Sequence, residues 1–163
     1  MPLKMYDREN ILDMLQHRRS AMVIDSAICH PEDLSAEGMF ELRADDPRIV
    51  DHFSILPGIL YSEFAHLTGA LLVLSCLSGE MRTDSVVLLK NTATELLSPS
   101  IPGTSVEQIF CRIEITAVTE DQKDITCEAK IYNSAEKILA NVNFTGVIAS
   151  KRIVERMVAR KRR

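Results

Sequence analysis

Apolar residues along this chain change period three times. Ile11, Leu12 and Leu15 recur at helical spacing behind Asp7, a residue suited to an N-cap, and predict a short amphipathic helix over 7–16. Residues 21–29 are rich in β-branched side chains and read as a strand, and 35–43 reads as a second. The next stretch, 44–56, is irregular. Leu60, Phe64, Leu67, Leu71 and Leu74 then restore a period of three to four over 59–77. Apolar residues fall on nearly every face of this segment, so it predicts a helix buried all round, with Pro57 in its first turn and Gly79 ending it. Beyond it the pattern turns to strands: 85–90, continued after a kink by 92–97, then 105–119, 124–132 and 137–150. One buried helix among antiparallel strands is an α+β arrangement in which a sheet wraps a single central helix.

Composition narrows this reading without redirecting it. The chain has 163 residues, 46% hydrophobic and 26% charged, which fits one globular domain and excludes a fibrous or disordered protein. From Lys151 onward seven basic residues face the single acid Glu155, a net of +6; taken from the total of -4, this leaves -10 on residues 1–150. We therefore read 1–150 as an acidic domain and 151–163 as a basic tail, and an acidic body argues against nucleic acid as a ligand. The apolar run from Ile55 to Leu77 is interrupted by Glu63 and His66, so no membrane span is expected. Residues 1–10 carry no apolar stretch of the kind a secretory signal needs, and the expected address is cytoplasmic. Cys29, Cys76, Cys111 and Cys127 lie far apart among apolar neighbours, which predicts buried reduced thiols and no metal site.

Phosphate loops, nucleophile elbows and metal-binding His pairs are missing from the sequence. His17 and His30 sit in surface contexts. His66 follows Glu63 by three residues, so the two share a helix face and read as a structural hydrogen bond. His52 differs, because it precedes the start of the buried helix. There the backbone N–H groups of Gly58 and Ile59 lack intrahelical acceptors and the helix dipole is positive, a setting that stabilises a carbonyl oxygen gaining negative charge. Glu63, farther along the same helix, is an ionisable group in apolar surroundings, the setting in which an acid holds its proton. A base, an acid and an oxyanion donor thus gather around one helix start.

Four segments, in order, resemble the β-hydroxyacyl-acyl carrier protein dehydratases. Ile11-Leu12-Asp13-Met14-Leu15-Gln16-His17-Arg18, followed by Met22-Val23-Ile24-Asp25, is similar to their opening, a helix ending in Leu-Pro-His-Arg and a strand closing on Val-Asp. Asp46-Pro47-Arg48-Ile49-Val50-Asp51-His52-Phe53 resembles their segment ending in Gly-His-Phe. Pro57-Gly58-Ile59-Leu60-Tyr61-Ser62-Glu63 resembles their Pro-Gly-Val-Leu followed by Glu, and Pro99-Ser100-Ile101-Pro102-Gly103 their Pro-x-x-Pro-Gly turn. The likeness runs from about residue 10 to about residue 148.

The resemblance implies the hot dog fold, usually as a homodimer or a trimer of dimers. It implies that His52 removes the α-proton of a 3-hydroxyacyl thioester, that Glu63 of the other subunit protonates the departing hydroxyl, and that the Gly58 amide holds the thioester carbonyl. It further implies a partner, acyl carrier protein, whose phosphopantetheine carries the substrate, and no other cofactor. Tyr61 and Phe64 become candidate contacts for the acyl chain, and His17-Arg18-Arg19 and the basic tail candidate docking cations. Three departures mark this chain: the loop from His52 to Pro57 is short, Asp51 stands where the family has glycine, and His66 and Leu67 stand where a glutamine is expected. Two other readings of the same scaffold are a thioesterase, with Glu63 activating water, and a non-catalytic acyl-thioester-binding subunit of a heterodimer.

Overall fold

The computed structural model describes residues 3–15, 23–50, 55–99, 106–119 and 123–152. Seven strands form one antiparallel sheet: β1 (Lys4–Asp7), β2 (Ser26–His30), β3 (Ser35–Leu42), β4 (Ser85–Leu96), β5 (Glu107–Val118), β6 (Asp124–Asn133) and β7 (Ile138–Ser150). Their spatial order is β1-β2-β3-β5-β6-β7-β4, which leaves β1 and β4 as the edges. The helices are α1 (Arg8–Leu15), α2 (Pro47–Val50), α3 (Gly58–Cys76) and α4 (Gly79–Asp84).

The sheet wraps α3, the arrangement expected from the alternation of periods. Thirteen of the 19 residues of α3 are buried, against alternate residues of the strands: Ala36, Phe40 and Leu42 on β3, Ile109, Cys111 and Ile113 on β5, Ile125, Cys127 and Ala129 on β6, and Val142 and Phe144 on β7. A helix apolar on most faces is stable in water only when enclosed in this way. By length and composition α3 is also the one described helix that could cross a membrane, although 72% of its most apolar window is buried inside the fold.

The hydroxyls that enter this core satisfy themselves locally. Thr68 donates to the Phe64 carbonyl at 2.8 Å and Ser75 to the Leu72 carbonyl at 2.7 Å, so neither is buried without a partner. At the far end of α3, Lys4 Nζ donates to the Ser75 carbonyl at 2.5 Å, joining a cation to the negative end of the helix. Burial pushes the Cys29 thiol up to about 11 and the Cys111 and Cys127 thiols up to about 12, which keeps them protonated and unreactive.

Several boundaries differ from the sequence reading. Asp7 caps α1 as expected, accepting from the Asn10 amide at 2.9 Å, but Lys4–Asp7 also forms a strand that pairs with β2. The strand predicted over 21–29 begins only at Ser26; Val23 and Ile24 are buried outside any strand. Gly79 does not end α3: the helix stops at Cys76 and Gly79 opens α4. The expected kink within β4 is a register shift between Leu89 and Asn91. Residues 153–163, and with them most of the basic tail, lie outside the described residues, as do His17, Arg18 and Arg19.

Helix and sheet meet closely at Gly38 on β3. A Cβ there would lie 2.5 Å from Thr68 Oγ1 and 3.1 Å from the Phe64 ring. Gly38→Ala must push α3 away from β3, and it should lower unfolding free energy by about 1–3 kcal/mol. Urea denaturation measures this; unchanged stability would show that the helix does not seat against β3 as described.

Candidate active site

The start of α3 is built by Pro57 and Gly58. Pro57 is the N-cap residue, with φ -58° and ψ 138°, rather than a first-turn residue, and it supplies no side-chain cap. The first closing bond runs from the Leu60 amide to the Pro57 carbonyl at 2.9 Å. The Gly58 and Ile59 amides precede it, so helix geometry gives them no intrahelical acceptor. Gly58 also permits a close approach: a Cβ would lie 2.8 Å from Leu96 Cδ1, so glycine lets the end of β4 close onto the helix start. His52 and Asp51 lie outside the described residues.

Farther along, one stripe of α3 stays open. Ile59, Glu63 and His66 follow one another at four and three residues and therefore line one side of the helix. Ile59 is 72% exposed, and Glu63 and His66 are half-buried. The stripe runs beside the inner face of β4, where Thr92, Thr94 and Leu96 alternate along the strand. Ser62 Oγ and Thr94 Oγ1 are 2.6 Å apart, and His66 Nε2 lies 3.3 Å from Thr92 Oγ1. Because β4 is the sheet edge, no described strand covers this side, and Leu96 remains 57% exposed. Glu63 thus stands one turn beyond Ile59 on the same side of the helix, half-buried.

Tyr61 and Phe64 are 2% exposed and lie elsewhere. At about 100° per residue they sit roughly 160° and 100° around the helix from Glu63. Phe64 packs toward Phe40, with ring centroids 6.2 Å apart. The structure therefore places Ile59 and Glu63 on the open side of α3 and Gly58 against Leu96 at the helix start, and leaves Tyr61 and Phe64 in the core.

His66 makes different contacts from those the sequence suggested. Its described partners are on the sheet: Thr92 on β4 and Phe144 on β7, whose ring it meets edge-on at 4.7 Å and 83°. Burial lowers its pKa to about 4, so the imidazole is neutral at ordinary pH. The inner row of β4 was missed in the sequence, although the alternation Thr92, Thr94, Leu96 carries the signal.

A second concavity lies across the outer face of the sheet, on the opposite side from Glu63. There Glu37 accepts from Tyr132 Oη at 2.5 Å and from Arg112 Nε at 2.8 Å. Among the described residues no group of three or more His, Cys, Asp or Glu could hold a metal ion.

Comparison with known proteins bears on the fold. A thioesterase from Haemophilus influenzae superposes with a TM-score of 0.57 at 16% identity, over 71% of this chain and 72% of that one. A thioesterase superfamily member from Thermus thermophilus gives 0.62 at 14% identity, over 77% and 90%. The chain has the hot dog fold. No family model matches it. In sequence it is 26% identical over 133 residues to the 3-hydroxyacyl-acyl-carrier-protein dehydratase FabZ of Bartonella henselae, covering 79% of this chain and 83% of that protein. These likenesses support a FabZ-like hot dog family and leave dehydratase and thioesterase activities both open.

The burial of His66 has a consequence for stability. Its pKa is lowered from 6.5 to about 4 on folding, so the unfolded chain binds the proton more tightly. The stability that the neutral ring contributes is present above about pH 6.5 and is lost as pH falls toward 4. Urea midpoints measured at pH 7 and pH 5 should differ more for the native protein than for His66→Gln. Equal differences would mean that the imidazole is not buried in the folded state.

Proposed function

We propose that this protein is a dehydratase that converts a 3-hydroxyacyl thioester, carried on the phosphopantetheine of acyl carrier protein, to the trans-2-enoyl thioester. The observation that carries the reading is the position of Glu63, on the single open stripe of an otherwise buried helix and near its uncapped start. The sequence likeness to FabZ dehydratases supports it.

The chemistry follows from the groups. His52 takes the α-proton, and the electrons move toward the thioester carbonyl, whose oxygen accepts from the Gly58 and Ile59 amides. That interaction strengthens as negative charge develops, which is the condition for lowering the barrier. Glu63 gives a proton to the β-hydroxyl, the C–O bond breaks, and water leaves as the double bond forms. The protein supplies no cofactor of its own, because the α-proton is already acidified by the thioester.

A site of this kind is completed by a second copy of the chain. Among the described residues the outer side of β4 pairs with no strand, and it carries exposed Leu88, Leu89 and Leu96, with exposed Ile59 on α3. Antiparallel pairing of two β4 edges would cover this surface and set Glu63 of one protomer beside the helix start of the other. A homodimer, alone or within a trimer of dimers, is the expected assembly.

The test is direct. Purified protein is given a 3-hydroxybutanoyl thioester, and the conjugated enoyl product is followed by its ultraviolet absorbance while free thiol is measured in parallel. Enoyl product should form without thiol release, and His52→Ala and Glu63→Gln should each lower the rate by about 10²–10⁴-fold. Thiol release without enoyl product would make the protein a thioesterase. Neither product, with acyl thioester still bound, would make it a binding subunit.

A further inference from the structure

We infer that His66 forms the floor of the acyl-binding seam and restricts the protein to short acyl chains. This rests on the reading of the seam as the substrate site and adds to it the class of substrate: acyl groups with only a few carbons beyond the reacting centre.

Near the helix start the seam is open, as the exposure of Ile59 and Leu96 shows. One turn beyond Glu63, about 5 Å along the helix, the His66 imidazole reaches from α3 to two strands at once. Its Nε2 lies 3.3 Å from Thr92 Oγ1 on β4, and its ring meets Phe144 on β7. The ring therefore spans the gap between helix and sheet edge.

Beyond it α3 comes close against the sheet. Gly69, one turn farther on, lies so close to the sheet that a Cβ would come 2.6 Å from Phe144 Cζ and 3.0 Å from Ile113 Cδ1. A chain that cannot turn past His66 finds the helix already in contact with the sheet. The floor is also chemically suited to an alkyl end. The ring is neutral, as its lowered pKa requires, and the polar atom it turns toward the strand is engaged with Thr92. A methyl group meeting the floor therefore displaces no charge.

The experiment reads binding without turnover. Non-hydrolysable amide analogues of butanoyl- and decanoyl-pantetheine are titrated into the full chain by calorimetry. A channel open along α3 gains roughly fourfold in affinity for each buried methylene. The floored seam predicts that decanoyl gains less than about threefold over butanoyl in total, well below even one pair of methylenes.

His66→Ala should open the seam and raise the decanoyl-to-butanoyl affinity ratio by about tenfold or more. His66→Phe, which keeps the bulk and removes the hydrogen bond, should preserve the short-chain limit and guards against misreading an unstable alanine variant. A steady gain with chain length in the native protein would overturn the inference. So would an unchanged preference in a folded His66→Ala, or binding of neither ligand. A native protein that shows the butanoyl limit yet forms no enoyl product would retain the floor and refute the dehydration reading, so the two claims fail separately.

Discussion

The structure depends on the enclosure of one apolar helix. α3 carries leucines, alanines, Phe64 and Val73 on most of its circumference, and these must leave water for the chain to fold. A seven-stranded sheet supplies a curved apolar wall for that purpose, but an open sheet has two edges and cannot close around a helix. The helix is therefore sealed on the β3, β5, β6 and β7 sides and exposed along the β4 seam. The stripe left over is where Ile59, Glu63 and His66 stand. Site and fold thus have one origin: the candidate residues stand along the side of the helix that the sheet encloses least.

That constraint also sorts the polar groups. On the sealed side Thr68 and Ser75 return their hydroxyls to helix carbonyls, leaving the packing undisturbed. On the open side Ser62 and His66 bond across to Thr94 and Thr92 and tie the edge strand to the helix. Two short polar bridges on the edge strand hold the seam at a defined width, while the exposed leucines of β4 leave it in need of a cover. The proposed second copy would cover it through the same edge.

Much of the fold was legible because its signals are periodic. The spacing of Leu60, Phe64, Leu67, Leu71 and Leu74 fits α3, and the alternation of Ile109, Cys111 and Ile113 fits β5, within a residue or two of their ends. The four residues of β1 were not legible, since a strand that short is specified by its partner: Met5 lies opposite Ile28 through the register of β2, not through local pattern. The short helices α2 and α4 hold too few turns to show a period. In the candidate site, Gly58, Ile59 and Glu63 were marked by their place at a helix start. The separation of Tyr61 and Phe64 from Glu63 could have been read from a helical projection. The partners of His66 could not, because Thr92 and Phe144 are distant in sequence and are brought together by the pairing of β4 with β7.

The central claim is that Glu63 acts in a site shared between two chains, and subunit mixing tests it most directly. His52→Ala and Glu63→Gln chains are co-expressed and the mixed oligomers assayed for dehydration of a 3-hydroxybutanoyl thioester. If each site takes His52 from one chain and Glu63 from its partner across a two-fold interface, random pairing restores about a quarter of native activity, because half of the dimers are mixed and each holds one intact site. If the mixture remains as inactive as either variant alone, His52 and Glu63 do not combine across chains, and the shared site is contradicted.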